Sequence, residues 1–355
     1  MINLNTYGWN DMLNQLKQES VHKALFHGRV AIAHRTCYEV ISENGLFQCE
    51  LTGNMMFGKS VVELPCVGDW VIFQPIDTER GIIFDMLPRQ KTLYRLKSGT
   101  VSEKQAIASY IDKAFIVQSL DDNFNVRRIE RFMLQLADEN IQPALVLTKT
   151  DLGFNKEDVE NAIKHISHKI PVFFTSTHQP DSIMAIREFI TVGETVVFTG
   201  MSGVGKSSLI NSLYGQDILQ TSAISTSTGK GRHTTTRREI VLLENSGVLI
   251  DTPGIKLFGV TNDDVNSLSE VLDISDFEGQ CLFSDCQHIN ERGCAVIRAV
   301  ENGEIDKGVY ENYLKLRKEA WYYTASVFEK RKHEKSFSKM VKSVRHCPKL
   351  CVNDN

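Results

Sequence analysis

A glycine-rich segment near the middle of the chain has the composition of a phosphate-binding loop. The pattern G-x-x-x-x-G-K-[ST] is matched by eight consecutive residues: Gly200, Met201, Ser202, Gly203, Val204, Gly205, Lys206 and Ser207. Backbone N–H groups of such a turn surround phosphate oxygens, and the helix that follows adds the positive end of its dipole. We expect Lys206 to reach the β- and γ-phosphates and Ser207 to offer its hydroxyl to Mg²⁺. We assign the adjacent Ser208 to the same nucleotide site.

A second group of phosphate-site residues follows the apolar run Val248–Ile250, which predicts a strand. The segment Asp251-Thr252-Pro253-Gly254 begins where this run ends. A carboxylate at such a strand end holds Mg²⁺ through its hydration shell, and a glycine N–H contacts a γ-phosphate. Asp251 and Gly254 are therefore our candidates for these two roles.

Four residues that follow a short apolar run have the types needed to recognise a guanine base: Thr148, Lys149, Thr150 and Asp151. A carboxylate at Asp151 accepts hydrogen bonds from guanine N1–H and the exocyclic amine, which adenine does not offer. The methylenes of Lys149 are expected to lie over the base. Ser176 and Thr177 end the next strand-like run, where backbone N–H groups complete a base pocket. Together with the phosphate loop, these residues predict guanine nucleotide binding.

A cluster of cysteine and histidine residues lies in the last quarter of the chain: Cys281, Cys286, His288 and Cys294. Three thiolates and one imidazole close a tetrahedral zinc site, and a closed site leaves no position open for catalysis. We therefore expect one structural zinc ion. Cys347 and Cys351 have no matching ligands nearby and are interpreted as free thiols, with a second metal site as the alternative.

Composition limits the class of protein that carries these residues. The chain has 355 residues, 42% of them hydrophobic and 24% charged, which is typical of a folded protein with two or three domains. We find no apolar run that approaches the roughly 18–20 residues of a membrane span. The first residues also lack the features of a signal peptide. Clustered cysteines without an export signal favour metal binding over disulfides, and we expect a cytoplasmic protein with no membrane partner.

The elements that position these residues change in type along the chain. Residues 27 to 88 contain five short strand-like runs separated by glycines. This pattern predicts a small closed barrel such as an OB-fold, and SH3-like or ubiquitin-like barrels fit nearly as well. Residues 113 to 254 alternate apolar strand-like runs with helical segments, which predicts a mainly parallel sheet covered by helices on both faces. The remainder is mostly polar and helical.

Charge is unevenly distributed. Residues 315 to 349 contain eleven lysines and arginines against three glutamates, a net of about +8 in a chain whose formal net charge is −4. Aromatic side chains are interspersed with these basic ones. A basic segment attached to an acidic body favours binding to a polyanion, and rings that stack on unpaired bases favour RNA. A solvated lysine-rich helix is the alternative.

The order of the nucleotide-binding segments is unusual. Ordinary GTPases place the phosphate loop first and the base-reading segments last, whereas here residues 148–151 and 175–177 precede residues 200–207. In this order of segments the chain resembles the circularly permuted GTPases, and more closely the ribosome small subunit-dependent GTPase A family. The segment 231–236 (Gly-Arg-His-Thr-Thr-Thr), the spacing of the zinc cluster and Gly68-Asp69-Trp70-Val71 are also similar to that family.

The resemblance implies an α/β multidomain protein with four parts. They are an N-terminal arm (1–25), an OB-fold barrel (26–110), a circularly permuted P-loop GTPase domain (111–262) and a helical zinc-binding domain with a basic tail (263–355). It also implies GTP hydrolysis stimulated by the small ribosomal subunit, a role in late subunit maturation, and contact with rRNA. GTP or GDP would bind with Mg²⁺, and Thr235 would close onto this ion and the γ-phosphate. No heptad pattern predicts a dimer, so a monomer is expected.

The chain departs from the family pattern at two positions and from many other GTPases at a third. Thr148 replaces the usual asparagine, which predicts weaker nucleotide binding with guanine preference retained by Asp151, and Thr177 replaces a small alanine. Ile255 follows Gly254 where many GTPases carry a water-orienting glutamine, so we expect slow basal hydrolysis. His233 is our hypothesis for the substitute group. A contact of His233 with RNA or solvent is the alternative.

Two other classes of function remain open from the sequence. One is a GTP-dependent switch that acts on a non-ribosomal protein or membrane partner, which the barrel and the basic tail disfavour. The other is an RNA-binding module with a largely structural nucleotide site, which the intact Lys206, Ser207 and Asp251 disfavour. An ATPase is disfavoured by Asp151.

Overall fold

The computed structural model describes residues 1–34, 36–57, 60, 62–96, 104–216, 239–250, 262–326, 328–329 and 331. Among these residues, none of the helices is both long and apolar enough to cross a membrane. The chain begins with a helical arm that consists of a 3-10 turn, Leu4–Tyr7, and helix α1, Asp11–Glu19. The side chain of Asn10 caps α1 by accepting a hydrogen bond from the backbone N–H of Leu13.

Five strands then form a closed barrel: β1 (Phe26–Ala33), β2 (Tyr38–Ser42), β3 (Gly45–Leu51), β4 (Trp70–Pro75) and β5 (Arg80–Met86). A short helix, α2 (Gly53–Phe57), follows β3. The strand order is β1-β2-β3-β5-β4, and only the β3–β5 pair is parallel. The predicted five-stranded barrel is confirmed, and this topology is that of an OB-fold.

Strand β4 begins with four consecutive apolar residues because both of its faces are covered there. Val71 and Phe73 face the interior of the barrel, while Trp70 and Ile72 belong to a second core outside it. The arm fills that second core with Leu4 and Leu13, which are 2% and 1% exposed. The first residues are therefore packed against the outer side of the barrel rather than loose.

Two short strands that the sequence analysis missed connect the barrel to the next unit. They are β6 (Leu93–Leu96) and β7 (Lys104–Ala108), which pair in an antiparallel ribbon. Strands of four or five residues without clear alternation carry little periodic signal. Val67 and Ala108 form an isolated bridge that ties this ribbon to the barrel.

A six-stranded sheet forms the centre of the molecule: β8 (Lys113–Ser119), β9 (Gln142–Thr148), β10 (Val172–Phe174), β11 (Thr195–Thr199), β12 (Ile240–Leu242) and β13 (Val248–Ile250). Its order is β10-β9-β8-β11-β13-β12. All neighbouring pairs are parallel except β12 with β13, which pair as the predicted hairpin. The predicted mainly parallel sheet is confirmed.

Helices cover both faces of this sheet: α3 (Val126–Ala137), α4 (Lys156–Ala162), α5 (Lys164–Ser167), α6 (Pro180–Phe189) and α7 (Lys206–Tyr214). Side chains from α3, α4 and α5 pack in one core, and those from α6 and α7 in the other. Strands β8 and β11 are buried along their whole length because both of their faces are covered.

The C-terminal unit is helical, as expected: α8 (Asn262–Val271), α9 (Ser275–Glu278), α10 (Ala295–Glu301) and α11 (Lys307–Thr324). Its core includes Leu134 of α3, so this unit packs on the side of α3 that faces away from the sheet. Arg131 of α3 donates two hydrogen bonds of 2.7 Å to the carboxylate of Glu319 on α11. The carboxylate of the buried Glu130 accepts a 2.6 Å hydrogen bond from Asn312 of α11.

Residues 332–355, which include Cys347, Cys351 and most of the basic tail, lie outside the described residues.

Candidate nucleotide-binding site and metal centre

The predicted nucleotide-binding segments meet at one edge of the six-stranded sheet. Parallel strands β10, β9, β8 and β11 are neighbours in that order, so their carboxyl ends lie side by side. The base-reading segments follow β10 and β9, and the phosphate loop follows β11. Ligands of open α/β sheets bind in the crevice at this edge.

The phosphate loop owes its shape to glycines. Gly200 has φ +151°, and a Cβ there would lie 2.4 Å from the carbonyl oxygen of Val117. Gly203 and Gly205 have φ values of +84° and +94°, a region that side chains disfavour. The chain then enters α7 at Lys206, so Gly205 is the residue that turns the loop into the helix.

Lys206 lies within the loop that precedes it. Its Nζ donates hydrogen bonds to the carbonyl oxygens of Gly200 at 2.8 Å and Met201 at 2.6 Å. Ser207 and Ser208 occupy the first turn of α7, next to the helix N-terminus. Met201, Ser202 and Gly203 are exposed and form the outer side of the loop, whereas Val204 is buried in the core beneath it. This arrangement provides backbone N–H groups and an ammonium for phosphate oxygens.

The carboxylate of Asp151, the predicted base-reading group, is held in place by a neighbouring hydroxyl. Thr150, Asp151 and Leu152 form a 3-10 turn after β9. The hydroxyl of the buried Ser176 donates a 2.6 Å hydrogen bond to Asp151 Oδ1 and lowers the pKa of that carboxyl. The carboxylate is therefore charged and oriented, with Oδ2 on its other side. Thr177 follows Ser176 and is exposed. The hydroxyl contact of Ser176 was missed by the sequence analysis, which assigned only backbone groups there.

Thr148 links the base-reading segment to the phosphate loop. Its hydroxyl lies 2.6 Å from the carbonyl oxygen of Val204, to which it donates a hydrogen bond. The residue is 6% exposed at the end of β9. A threonine at this position thus makes a direct connection to the phosphate loop.

Lys149 reaches a residue that the sequence analysis did not assign. Its backbone is left-handed, with φ +62°, and its Nζ lies 2.8 Å from Asp121 Oδ2. Asp121 comes just after β8, whose carboxyl end lies beside that of β9. A carboxylate two residues after the end of a central strand was the available signal.

Four predicted site residues lie outside the described residues: His233, Thr235, Asp251 and Gly254. The nearest described position is Ile250, the last residue of β13. Because β13 pairs with β11 in parallel, it ends at the same edge as the phosphate loop.

The four predicted metal ligands come together in the C-terminal unit. The ligand atoms of Cys281, Cys286, His288 and Cys294 all lie within 4.8 Å of one another. His288 Nδ1 is 3.6 Å from Cys281 Sγ and 3.4 Å from Cys294 Sγ, and these two sulfurs are 3.9 Å apart. Zinc–sulfur bonds of about 2.3 Å in a tetrahedron separate ligand atoms by about 3.5 to 3.8 Å. The donor set and its spacing therefore fit one metal ion.

The surroundings of the cluster act on its ligands in different directions: backbone N–H groups favour the thiolates, whereas burial opposes one of them. The Sγ of Cys281 accepts a hydrogen bond from the N–H of Ala295 at 3.4 Å, and Cys294 caps α10 by accepting from Ile297 at 3.5 Å. Burial raises the pKa of the Cys294 thiol to about 11, so deprotonation depends on the metal. Burial lowers the pKa of His288, which keeps the imidazole neutral for coordination. Its Nε2 faces Glu278 at 3.6 Å.

Comparisons with known proteins agree with this geometry. Residues 86–261 match the family model described as RsgA GTPase. The chain is 60% identical over 343 residues to the Bacteroides thetaiotaomicron protein named small ribosomal subunit biogenesis GTPase RsgA 1, covering 97% of each chain. The crystal structure of YjeQ from Thermotoga maritima aligns with a TM-score of 0.63 at 27% identity, covering 83% of this chain and 98% of that one. The structure of YloQ, described as a circularly permuted GTPase, aligns with a TM-score of 0.60 at 25% identity, covering 87% and 99%.

A base-reading loop that precedes the phosphate loop on a parallel sheet, between a closed barrel and a Cys/His cluster, defines a circularly permuted GTPase. The predicted fold class is thereby confirmed. With a relative that is 60% identical across nearly its whole length, the chain belongs to the RsgA GTPase family.

Proposed function

We propose that this chain binds GTP with Mg²⁺, hydrolyses it to GDP and phosphate, and acts in late maturation of the small ribosomal subunit. The observation that carries the proposal is the convergence of Asp151, Lys149 and the phosphate loop at one sheet edge. The name of the 60% identical relative, small ribosomal subunit biogenesis GTPase, supports the ribosomal part.

Guanine selectivity follows from the state of Asp151. A charged carboxylate with one oxygen bound by Ser176 retains acceptor capacity for guanine N1–H and the exocyclic amine. Adenine presents no N1–H, so ATP would leave a carboxylate without its partners. The site therefore favours GTP and GDP over adenine nucleotides.

Phosphate binding and GTP hydrolysis depend on the residues that follow β11 and β13. In this proposal Lys206 and the loop N–H groups bind the β- and γ-phosphates, while Ser207, Thr235 and Asp251 hold Mg²⁺. A Mg²⁺ ion held by these residues would neutralise charge that develops on the phosphate oxygens. Gly254 N–H contacts the γ-phosphate. His233 orients the attacking water, because Ile255 lacks a polar side chain for this role.

The Cys/His cluster holds one structural zinc ion in this proposal. Cys281, Cys286, His288 and Cys294 supply four ligands, which closes the coordination sphere. The ion stabilises the loops between α9 and α10 and takes no part in hydrolysis.

The barrel and the basic tail provide surfaces for RNA. OB-folds bind single strands and structured RNA, and the +8 segment at 315–349 attracts phosphates. We infer that the partner is the small subunit with its rRNA, and that the chain acts in the cytoplasm as a monomer.

The decisive experiment measures phosphate release from GTP and from ATP, each with and without purified small ribosomal subunits. Slow GTP hydrolysis that rises sharply with subunits is the expected result, with little release from ATP. Hydrolysis of GTP that ignores subunits would contradict the ribosomal part, and equal use of ATP would contradict the role of Asp151.

Two variants sharpen this assay. Lys206→Ala should abolish release in every condition. His233→Ala should bind GTP normally but lose the stimulation by subunits, because only the orientation of water is affected. Unchanged stimulated turnover in His233→Ala would exclude His233 from that role.

A further inference from the structure

Asp121 is fixed by contacts to both of its oxygens. Oδ1 accepts hydrogen bonds from the hydroxyl of Ser119 at 2.8 Å and from the backbone N–H of Asn123 at 2.9 Å. Oδ2 accepts from Lys149 Nζ at 2.8 Å. The carboxylate is therefore anchored in its own loop by one oxygen, and the other oxygen holds the lysine.

The pair spans two neighbouring strand ends. Lys149 starts from the end of β9, Asp121 follows β8, and the phosphate loop follows β11 on the far side of β8. The aliphatic stem of Lys149 therefore runs from the base-reading loop toward the phosphate loop. With its ammonium bound to Asp121, the lysine presents methylenes, not charge, to the crevice.

The carboxylate of Asp121 is charged across the physiological range. Partial burial acts to raise the pKa of Asp121, but the hydrogen bonds from Lys149, Asn123 and Ser119 outweigh it and lower the pKa to about 2. Both side chains are 23% exposed, so solvent screens the pair only in part. A long, flexible side chain fixed before the ligand arrives loses less entropy on binding.

We propose that Asp121 is a positioning residue for guanine nucleotide binding, which holds the stem of Lys149 as a flat support for the base and ribose. This inference rests on the proposed function and deepens it. Asp121 touches neither the phosphates nor the reacting water, so its removal affects nucleotide affinity and not the chemical step.

The test compares Asp121→Asn with Asp122→Asn in the full-length chain. Asp122 is the next residue, is exposed, and loses the same charge in its variant. Asp121→Asn should weaken GDP and GTP binding by the same factor, about tenfold, because the support contacts the nucleoside common to both. KM for GTP should rise in parallel while kcat with small subunits stays unchanged. Asp122→Asn should bind as the wild type does.

A double-mutant cycle isolates the contact. Lys149→Met keeps the apolar stem but cannot pair with Asp121, so adding Asp121→Asn to it should weaken binding by less than about twofold. Additive losses, unchanged affinity in Asp121→Asn, or an equal loss in Asp122→Asn would each overturn the inference. A wild-type chain that binds no guanine nucleotide would instead overturn the proposed function.

Discussion

The nucleotide edge and the Cys/His cluster are built in opposite ways. The nucleotide edge takes residues from four loops between positions 119 and 208, each fixed by the end of a parallel strand. The cluster takes four ligands from positions 281 to 294, a segment that lies between two short helices, α9 and α10. The first site is distributed along the chain and the second is local.

The difference determines what each ligand does for the protein. Strands β8 and β11 are buried along their whole length, so the crevice has its shape before nucleotide binds. The loop of the cluster exposes Leu282, Phe283 and Ile289 by 69%, 51% and 63%, and so buries little apolar surface of its own. In the proposed zinc-bound form, the metal supplies the stability of this loop, whereas the nucleotide adds little to the fold of the sheet.

The largest effect is expected from removing a metal ligand. Cys294→Ala should release zinc and unfold the C-terminal unit, since structural zinc contributes about 10–16 kcal/mol in zinc-finger peptides. Zinc content and thermal unfolding measure this. Cys37→Ser, which alters a cysteine outside the cluster, should retain one zinc ion per chain. A Cys294→Ala protein that keeps stoichiometric zinc would contradict the claim that the cluster holds the metal and depends on it for stability.

The second largest effect is expected on nucleotide binding, with the fold left intact. Lys206→Met removes the ammonium from the phosphate loop and should weaken GTP binding by about a hundredfold or more, because charged hydrogen bonds to phosphate are lost. The unfolding temperature should stay within about 3 °C of the wild type, since small changes in free energy move it little in a chain of this size. Lys164→Met, an exposed lysine on α5, serves as the control. A large drop in unfolding temperature would show that the loop depends on this lysine for its shape.

Base selectivity is a third way to probe the distributed site. Asp151→Asn should weaken GTP binding by about a hundredfold and favour xanthine nucleotides, whose carbonyl oxygen accepts from the new amide. Competition between GTP and XTP in an equilibrium binding assay measures the change. Unaltered preference for guanine would mean that Asp151 does not read the base.

The smallest effect concerns the link between β9 and the phosphate loop. Thr148→Val keeps the shape of the side chain but removes the hydrogen bond to the Val204 carbonyl. We expect a loss of about 1 kcal/mol in the free energy of unfolding and a severalfold loss of GTP affinity. Urea denaturation and nucleotide titration test both, with Thr78→Val, at an exposed position of the barrel, as control. Loss of stability without loss of affinity would show that this hydrogen bond supports the fold but not nucleotide binding.

Local patterns made much of this structure predictable. The apolar run Val248–Ile250 predicted a strand with the bounds that the structure shows, because buried parallel strands leave continuous hydrophobic stretches. The two ligand-binding segments were predictable because each motif is contiguous or closely spaced. For Cys281, Cys286, His288 and Cys294, the structure brings together the four ligand atoms that the spacing indicated.

Contacts between residues that are far apart in the sequence have no local pattern from which they could be predicted. Arg131 and Glu319 are 188 residues apart, and Glu130 and Asn312 are 182 apart, so nothing local predicts that they meet. Asp121 and Lys149 are separated by 28 residues and come together only because β8 and β9 are neighbours. The role of Ser176 likewise depended on knowing where Asp151 lies.

The two ties between α3 and α11 have a mechanical consequence. Asn312 and Glu319 are seven residues apart, about 10 Å along the helix axis, and two fixed points define the direction of a rod. Helix α11 is therefore held in a fixed orientation on α3, and the hydroxyl of Tyr310 on α11 donates a hydrogen bond to the carbonyl oxygen of His288, which joins the Cys/His cluster to the same helix. The loop that carries Asp121 leads directly into α3. The unit formed by α3 and α11 therefore begins a few residues from the nucleotide crevice.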